Sequence, residues 1–298
     1  MSDHHRHAAL AGRAVAVLRA NDLGGWTKAA PALYPHQWSW DSAFIAIGLA
    51  RLDTRRAAQE LRTLCGAQWA TGKIPHIVFN PQASGYFPDA ARWGCECSPD
   101  LPAGIQTSGL CQPPVHAIAA RQIWEVARGR GGDEVVEARA FLGEIYPRLL
   151  EWHRYLATAR DPEGSGLVTI YHPWESGTDN SPRWDAALAE VVVGDLPPYT
   201  RHDLQHVGDP SERPTNAEYD RYLWLVEVMK RAQYDEAAIY REHPFLVKDV
   251  LFSGILVAAN EALLAIAEAV GAPDADRTLI AGWLERGRRG LREPGTPG

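Results

Sequence analysis

Sulfur is scarce in this chain, with four cysteines (Cys65, Cys95, Cys97, Cys111) and two methionines among 298 residues. So few cysteines in a chain of this size do not make a disulfide framework. Cys95-x-Cys97 has the wrong spacing for a zinc knuckle and no second pair, so reduced thiols are expected. Basic runs are also missing. Thirty Lys and Arg against thirty-seven Asp and Glu leave a net charge of −7, which argues against a nucleic-acid backbone as partner. The most apolar stretch, Leu251 to Ala267, is broken by Ser253, Gly254, Asn260 and Glu261 and is not expected to span a bilayer. The polar start from Met1 to His7 carries no secretory apolar region, so a cytoplasmic setting is expected. His4, His5 and His7 offer at most an adventitious metal site at a terminus. There is no Gly-rich phosphate motif and no internal repeat.

What the chain does have is enough apolar surface for a large core, 46% of its residues, arranged mostly at helical spacing. Leu10, Ala14, Val17 and Leu18 mark a first helix. Ala43, Phe44, Ile47 and Leu49 mark a second, and Ala58, Leu61, Leu64 and Cys65 a third that stops near Gly72. Pro113 and Pro114 open a helix running to Gly129, and Glu134 to Arg160 supplies one long helix or two. Thr215-Asn-Ala-Glu218 matches a capping box, which predicts a helix from there to about Gln233. Further helices are expected over Asp249 to Val270, closed by Gly271, and over Asp276 to Arg286. Strands are few: Ile74 to Phe79 and Leu167 to Tyr171. The expected organisation is one helical domain over residues 1–286 and an irregular Gly/Arg/Pro tail over 287–298. The long stretch from Gly72 to Gln112 reads as a functional loop.

The segment His172 to Asp185 concentrates three carboxylates, a His, an Arg and two Trp in one turn-forming run. Gly177, Asn180, Ser181 and Pro182 interrupt any regular period, so it should be a loop. A carboxyl held beside an indole loses hydration, its charged form is disfavoured, and its pKa rises toward the range of a general acid. Asp179 is the candidate, with Glu175 and Asp185 as competitors. The same composition also suits a surface loop whose acids cap a helix and pair with Arg183, and spacing does not choose between the two.

Four further clusters mix rings with hydrogen-bonding groups: Trp38-Ser-Trp40-Asp41, Gly85-Tyr86-Phe-Pro88, Gln112-Pro-Pro114, and Arg213 with Tyr219. Aromatic faces suit the apolar faces of sugar rings, and Asp, Gln and Asn suit their hydroxyls. Eleven Trp favour that reading over large core residues alone. Tyr34-Pro-His-Gln-Trp-Ser-Trp-Asp41, Gly72-Lys-Ile-Pro-His-Ile-Val-Phe79, Gln112-Pro-Pro-Val-His116, Trp174 to Asp185 and Glu218-Tyr-Asp-Arg-Tyr-Leu-Trp224 resemble glucosylglycerate hydrolases of actinobacteria. These are grouped with mannosylglycerate hydrolases in glycoside hydrolase family 63.

The resemblance, from about residue 8 to about 285, implies an all-α (α/α)6 toroid and inverting hydrolysis of a short α-glycoside, without metal or organic cofactor. It implies that Asp179 is the general acid. It implies a sugar subsite of Trp38, Trp40, Asp41, Gln112 and Trp174, substrate contacts from Tyr34 and Asn180, and a glycerate end of Tyr86, Arg213 and Tyr219, where a guanidinium pairs with a carboxylate. Inversion needs a second carboxylate roughly 6.5–9.5 Å from the acid. In the family that Glu lies further along the toroid than this chain reaches. With about eight helices where a closed toroid has twelve, the chain is expected to be C-terminally truncated, with apolar inter-helix faces exposed. The alternatives are a non-catalytic sugar-binding fragment, a hydrolase of mannosylglycerate or another small glycoside, and a helical scaffold without ligand. Oligomeric state is not legible. Leu110-Cys111 departs from the family's usual pair and is expected to alter packing below the sugar site.

Overall fold

The computed structural model describes residues 3–31, 33–206, 209 and 213–293. The side chains of His4 and His5, and residues 294–298 of the expected tail, lie outside the described residues. The chain is all-α. Helices α1 (Asp3–Asn21), α2 (Ser39–Ala50) and α3 (Thr54–Gly66) come first. They are followed by the one-turn α4 (Ala90–Trp93), then α5 (His116–Arg130) and α6 (Asp133–Thr158). After the short α7 (Asp185–Ala189) come α8 (Asn216–Arg231), α9 (Glu236–Glu242), α10 (Val250–Val270) and α11 (Asp274–Arg292). The hairpins α2/α3, α5/α6 and α10/α11 lie side by side: α5 adjoins both α2 and α10, and α6 adjoins α3 and α10. These are the two helical layers of an (α/α)6 toroid. Their interface is a single apolar core that includes Leu61, Ile123, Leu149, Trp152 and Leu263.

Local chemistry sets most boundaries. Asp53 caps α3 by accepting hydrogen bonds from the Arg55 and Arg56 N–H groups at 2.8 and 3.1 Å. The predicted capping box at α8 is present in both directions, Thr215 N–H to Glu218 Oε2 at 2.7 Å and Glu218 N–H to Thr215 Oγ1 at 3.3 Å. Gly271, at φ +72°, ends α10 in the left-handed conformation that costs glycine nothing. Glu134 to Arg160 resolves into one helix, α6, with Pro147 inside it.

Two readings are corrected. The Gly/Arg/Pro tail does not begin at Gly287, because α11 continues to Arg292. Gly287 and Gly290 lie buried on one face of that helix, where a Cβ would meet Val257 at 2.8 Å and the Ser165 carbonyl at 2.5 Å respectively. These glycines permit close approach and do not break the helix. Helix α10 is also long and apolar enough, by length and composition, to cross a bilayer, despite its polar interruptions. Half of that stretch is buried in the helical packing, and Asn260 and Ser253 find partners there in His153 (2.7 Å) and the Val168 N–H (2.9 Å).

Two small antiparallel ribbons position the loops. β1 (Gln37–Trp38) pairs with β2 (Ile77–Val78), and β3 (Thr169–Ile170) pairs with β4 (Val247–Lys248). The first ribbon brings the Trp38–Asp41 segment against the long loop, and the second delivers the chain to the His172–Asp185 segment.

Candidate active site

All eleven residues singled out in the sequence line one cavity of about 360 Å³. They come from five segments far apart in the chain. Trp38 leaves β1 and Trp40 and Asp41 begin α2. Tyr86 and Gln112 sit on the loop between α3 and α5, whereas Trp174, Asp179 and Asn180 follow β3. Arg213 precedes α8, which carries Tyr219.

One wall is aromatic. Trp38, buried, meets Tyr34 edge-on at 5.0 Å and Tyr86 edge-on at 5.4 Å, and stacks on His36 at 5.8 Å. Trp174 sits in a 3-10 turn, Pro173–Ser176, opened by the His172 side chain, whose Nδ1 accepts the Trp174 N–H at 3.0 Å. Gly177 then takes φ +70°, and a Cβ there would lie 2.3 Å from the Trp40 indole, so only glycine lets Trp40 rest on this loop. The Trp40 N–H in turn donates to Gln112 Oε1 at 3.2 Å, which fixes the amide at the cavity floor.

The three acids of the central loop separate by environment. Glu175 is fully buried and faces away from the cavity. It accepts from Arg160 Nη1 and Nη2, both at 2.8 Å, from the Tyr171 N–H at 2.7 Å and from the Cys111 N–H at 3.1 Å. Burial alone would raise its pKa, but the Arg160 guanidinium and these donors overcome it and hold the carboxyl at about 2. Glu175 is therefore a permanent anion tying the Cys111–Gln112 segment to the Trp174 loop, and it is no proton donor at neutral pH. The Cys111 thiol lies 3.3 Å from the same carboxylate. Asp185 is exposed and does not line the cavity. Asp179 does, and loss of hydration pushes its carboxyl up to about 6; Asp41 adds to the rise, while its own main-chain N–H and Arg213 oppose it. Burial likewise raises Asp41 to about 6.

Arg213 and Tyr219 also line the cavity, with Arg201 stacked over the Tyr219 ring at 4.5 Å and paired with Asp203 at 2.6 Å. Phe87 stacks on Tyr199 at 5.8 Å, joining the loop after β2 to the segment before α8. Sequence reasoning missed His76, Asp203 and Tyr222, which also line the cavity. Tyr222 was within reach, since it lies three residues after Tyr219 on a helix whose start the capping box marks. The four cysteines are unpaired, and burial raises Cys65 and Cys95 to about 12.

Residues 34–294 match the family described as the mannosylglycerate hydrolase MGH1-like glycoside hydrolase domain. The chain belongs to that family. Among its relatives, a glucosylglycerate hydrolase of Mycolicibacterium hassiacum is 52% identical over 285 residues, covering 95% of this chain and 64% of the relative. The mannosylglycerate hydrolase MGH1 of Selaginella moellendorffii is 49% identical over 270 residues, covering 91% and 53%. The crystal structure of a family 63 mannosylglycerate hydrolase from Thermus thermophilus, in complex with Tris and D-glycerate, superposes with a TM-score of 0.86 at 44% identity, covering 95% of this chain and 64% of that one. The chain thus spans about half to two thirds of the length of these family members.

Proposed function

We propose that this chain carries the acid half of an inverting glycosidase site acting on a short α-glycoside, with glucosylglycerate as the preferred substrate. The observation that carries the reading is a carboxyl, Asp179, raised to about 6 by burial on a cavity lined by Trp38, Trp40 and Trp174 and by Arg213. A carboxyl that is partly protonated near neutrality can deliver its proton to the glycosidic oxygen as the C1–O bond breaks. Glycerate then leaves as the neutral alcohol, and water adds to C1 from the opposite face. The indoles stack on the sugar, Asp41, Asn180 and Gln112 take its hydroxyls, and Tyr34 closes the aromatic wall. Arg213, with Tyr86 and Tyr219, receives the glycerate carboxylate.

The carboxylate that activates water is proposed to lie outside these 298 residues. Among the described residues, the other acids on the cavity are Asp203, held by Arg201 at 2.6 Å, and Asp41, assigned to the sugar. Glucose release from glucosylglycerate and mannosylglycerate, with the product anomer read by NMR and binding followed by calorimetry, tests the reading. Binding without turnover supports it, the chain keeping the acid but lacking the base. Turnover with the β-anomer first keeps the acid and the substrate but overturns the placement of the base outside these residues. Absence of both rejects the substrate assignment.

A further inference from the structure

Tyr222 lies on the buried face of α8, one turn beyond Tyr219, and its ring is 5.3 Å from His172 and 5.5 Å from Trp174. It holds the acid-bearing loop at two points. Its carbonyl oxygen lies 3.0 Å from His172 Nε2, at the start of the loop. Its hydroxyl donates to the Asp179 carbonyl oxygen at 3.1 Å, at the far end. The His172 tautomer follows from its partners. Nδ1 accepts the Trp174 N–H, so Nε2 carries the proton and donates to Tyr222, and burial keeps the ring neutral with a pKa of about 3. Among the described residues no other hydrogen bond reaches the Asp179 carbonyl. The adjacent Thr178 carbonyl is held from the loop itself, by Trp184 Nε1 at 2.9 Å, so among the described residues the direct hydrogen bond from the Asp179 main chain to a helix is the one from the Tyr222 phenol.

We propose that Tyr222 is the positioning residue for Asp179: through its phenol, helix α8, which also presents Tyr219 to the aglycone, sets the reach of the proton donor. This rests on the reading of Asp179 as the acid. Tyr219 and Tyr222 share one helical face with ring centres 6.4 Å apart, so a group seated against Tyr219 bears on the element that fixes the acid. Binding energy at the glycerate end is thereby available for placing the proton donor, the arrangement that raises turnover instead of merely tightening binding.

The test is Tyr222→Phe, which deletes one hydroxyl and keeps the ring, assayed below the melting transition of both proteins. Two substrates separate proton donation from general damage. A glycerate leaving group needs the proton of Asp179. α-Glucosyl fluoride loses its fluoride as an anion and needs none. Tyr222→Phe should slow glucosylglycerate turnover about tenfold or more while slowing the fluoride less than about twofold. Equal slowing of both substrates overturns the proposal, as does no slowing of either.

A second measurement does not require turnover. The Asp179 carboxyl is titrated by carbon NMR, its signal assigned by disappearance in Asp179→Asn. Released from Tyr222, the loop admits water, and because burial is the main cause of the raised value, the midpoint should fall from about 6 toward the ordinary carboxylate range. An unmoved midpoint overturns the proposal. A parent chain that turns over neither substrate is the outcome expected where the base lies outside these residues, and the titration then decides the role of Tyr222 alone. Tyr219→Phe is the control, expected to raise KM for the glycerate glycoside and to leave the Asp179 midpoint in place.

Discussion

Asp179 and Glu175 stand four residues apart on one loop and titrate in opposite directions, because one faces a cavity without a cationic hydrogen-bond partner and the other is wrapped by Arg160 and main-chain N–H groups. The sign of the Asp179 shift makes two expectations. Its folded pKa is raised, so its contribution to stability is complete below the ordinary value of 3.8 and is lost as pH rises through about 6. At pH 7 the native protein therefore bears the cost of a partly desolvated anion, and Asp179→Asn should melt about 2 °C higher, allowing for solvent screening. Below pH 4 the gain should vanish. Calorimetry at pH 7 and pH 3.5 checks this, and equal melting temperatures at both would remove the desolvation argument. In a chain that turns over, the same variant should lose about 10²–10⁴-fold in rate, and the parent's activity should decline as pH rises through about 6. The sequence offered Asp179, Glu175 and Asp185 on equal composition. The placement of Arg160, fifteen residues before Glu175, removes Glu175, and exposure outside the cavity removes Asp185.

Among the elements, helices announced themselves and close contacts did not. The apolar stripes, the Thr215 capping box and Gly271 are local signals, and the structure follows them within a few residues. Gly177 is different, because its need for glycine comes from Trp40, which approaches it from α2. Gly177→Ala forces a side chain into left-handed backbone at about 1–2 kcal/mol and displaces the indole from the cavity wall. Glucose affinity should fall about tenfold or more, with a melting point a few degrees lower. Titration calorimetry that found unchanged affinity would show that Trp40 does not touch the sugar. The helix α9 and the pairing of β1 with β2 were likewise unreadable, since a two-residue ribbon has no period of its own and exists only because its partner is brought to it.

Across the whole molecule, the three hairpins depend on one another at their ends. The last turns of α11 pack on the Ser165–Gly166 turn, and Gly166 at φ +82° would place a Cβ 2.2 Å from the Arg286 carbonyl. Arg288 adds a link to Glu261 of α10 at 2.8 Å. Ending the chain after Arg286 should therefore lower the melting temperature by about 5 °C or more, measured by circular dichroism. A variant melting with the parent would return these residues to the status of a tail. Gly287 and Gly290 belong to a Gly/Arg/Pro run whose lack of period predicts an irregular tail. Three residues apart on one face, they instead mark where another segment crosses, and that segment, Ser165–Gly166, lies far earlier in the chain.

The sequence by itself determined the helical class and most helix boundaries, because periodicity and caps are local chemistry, and its family resemblance pointed to eleven of the residues that line the cavity. Tertiary structure decided which carboxyl keeps its proton, which glycines are contacts and which tyrosine holds the acid. Each of those depends on burial and on partners from distant segments, which only the packed toroid brings within hydrogen-bond reach.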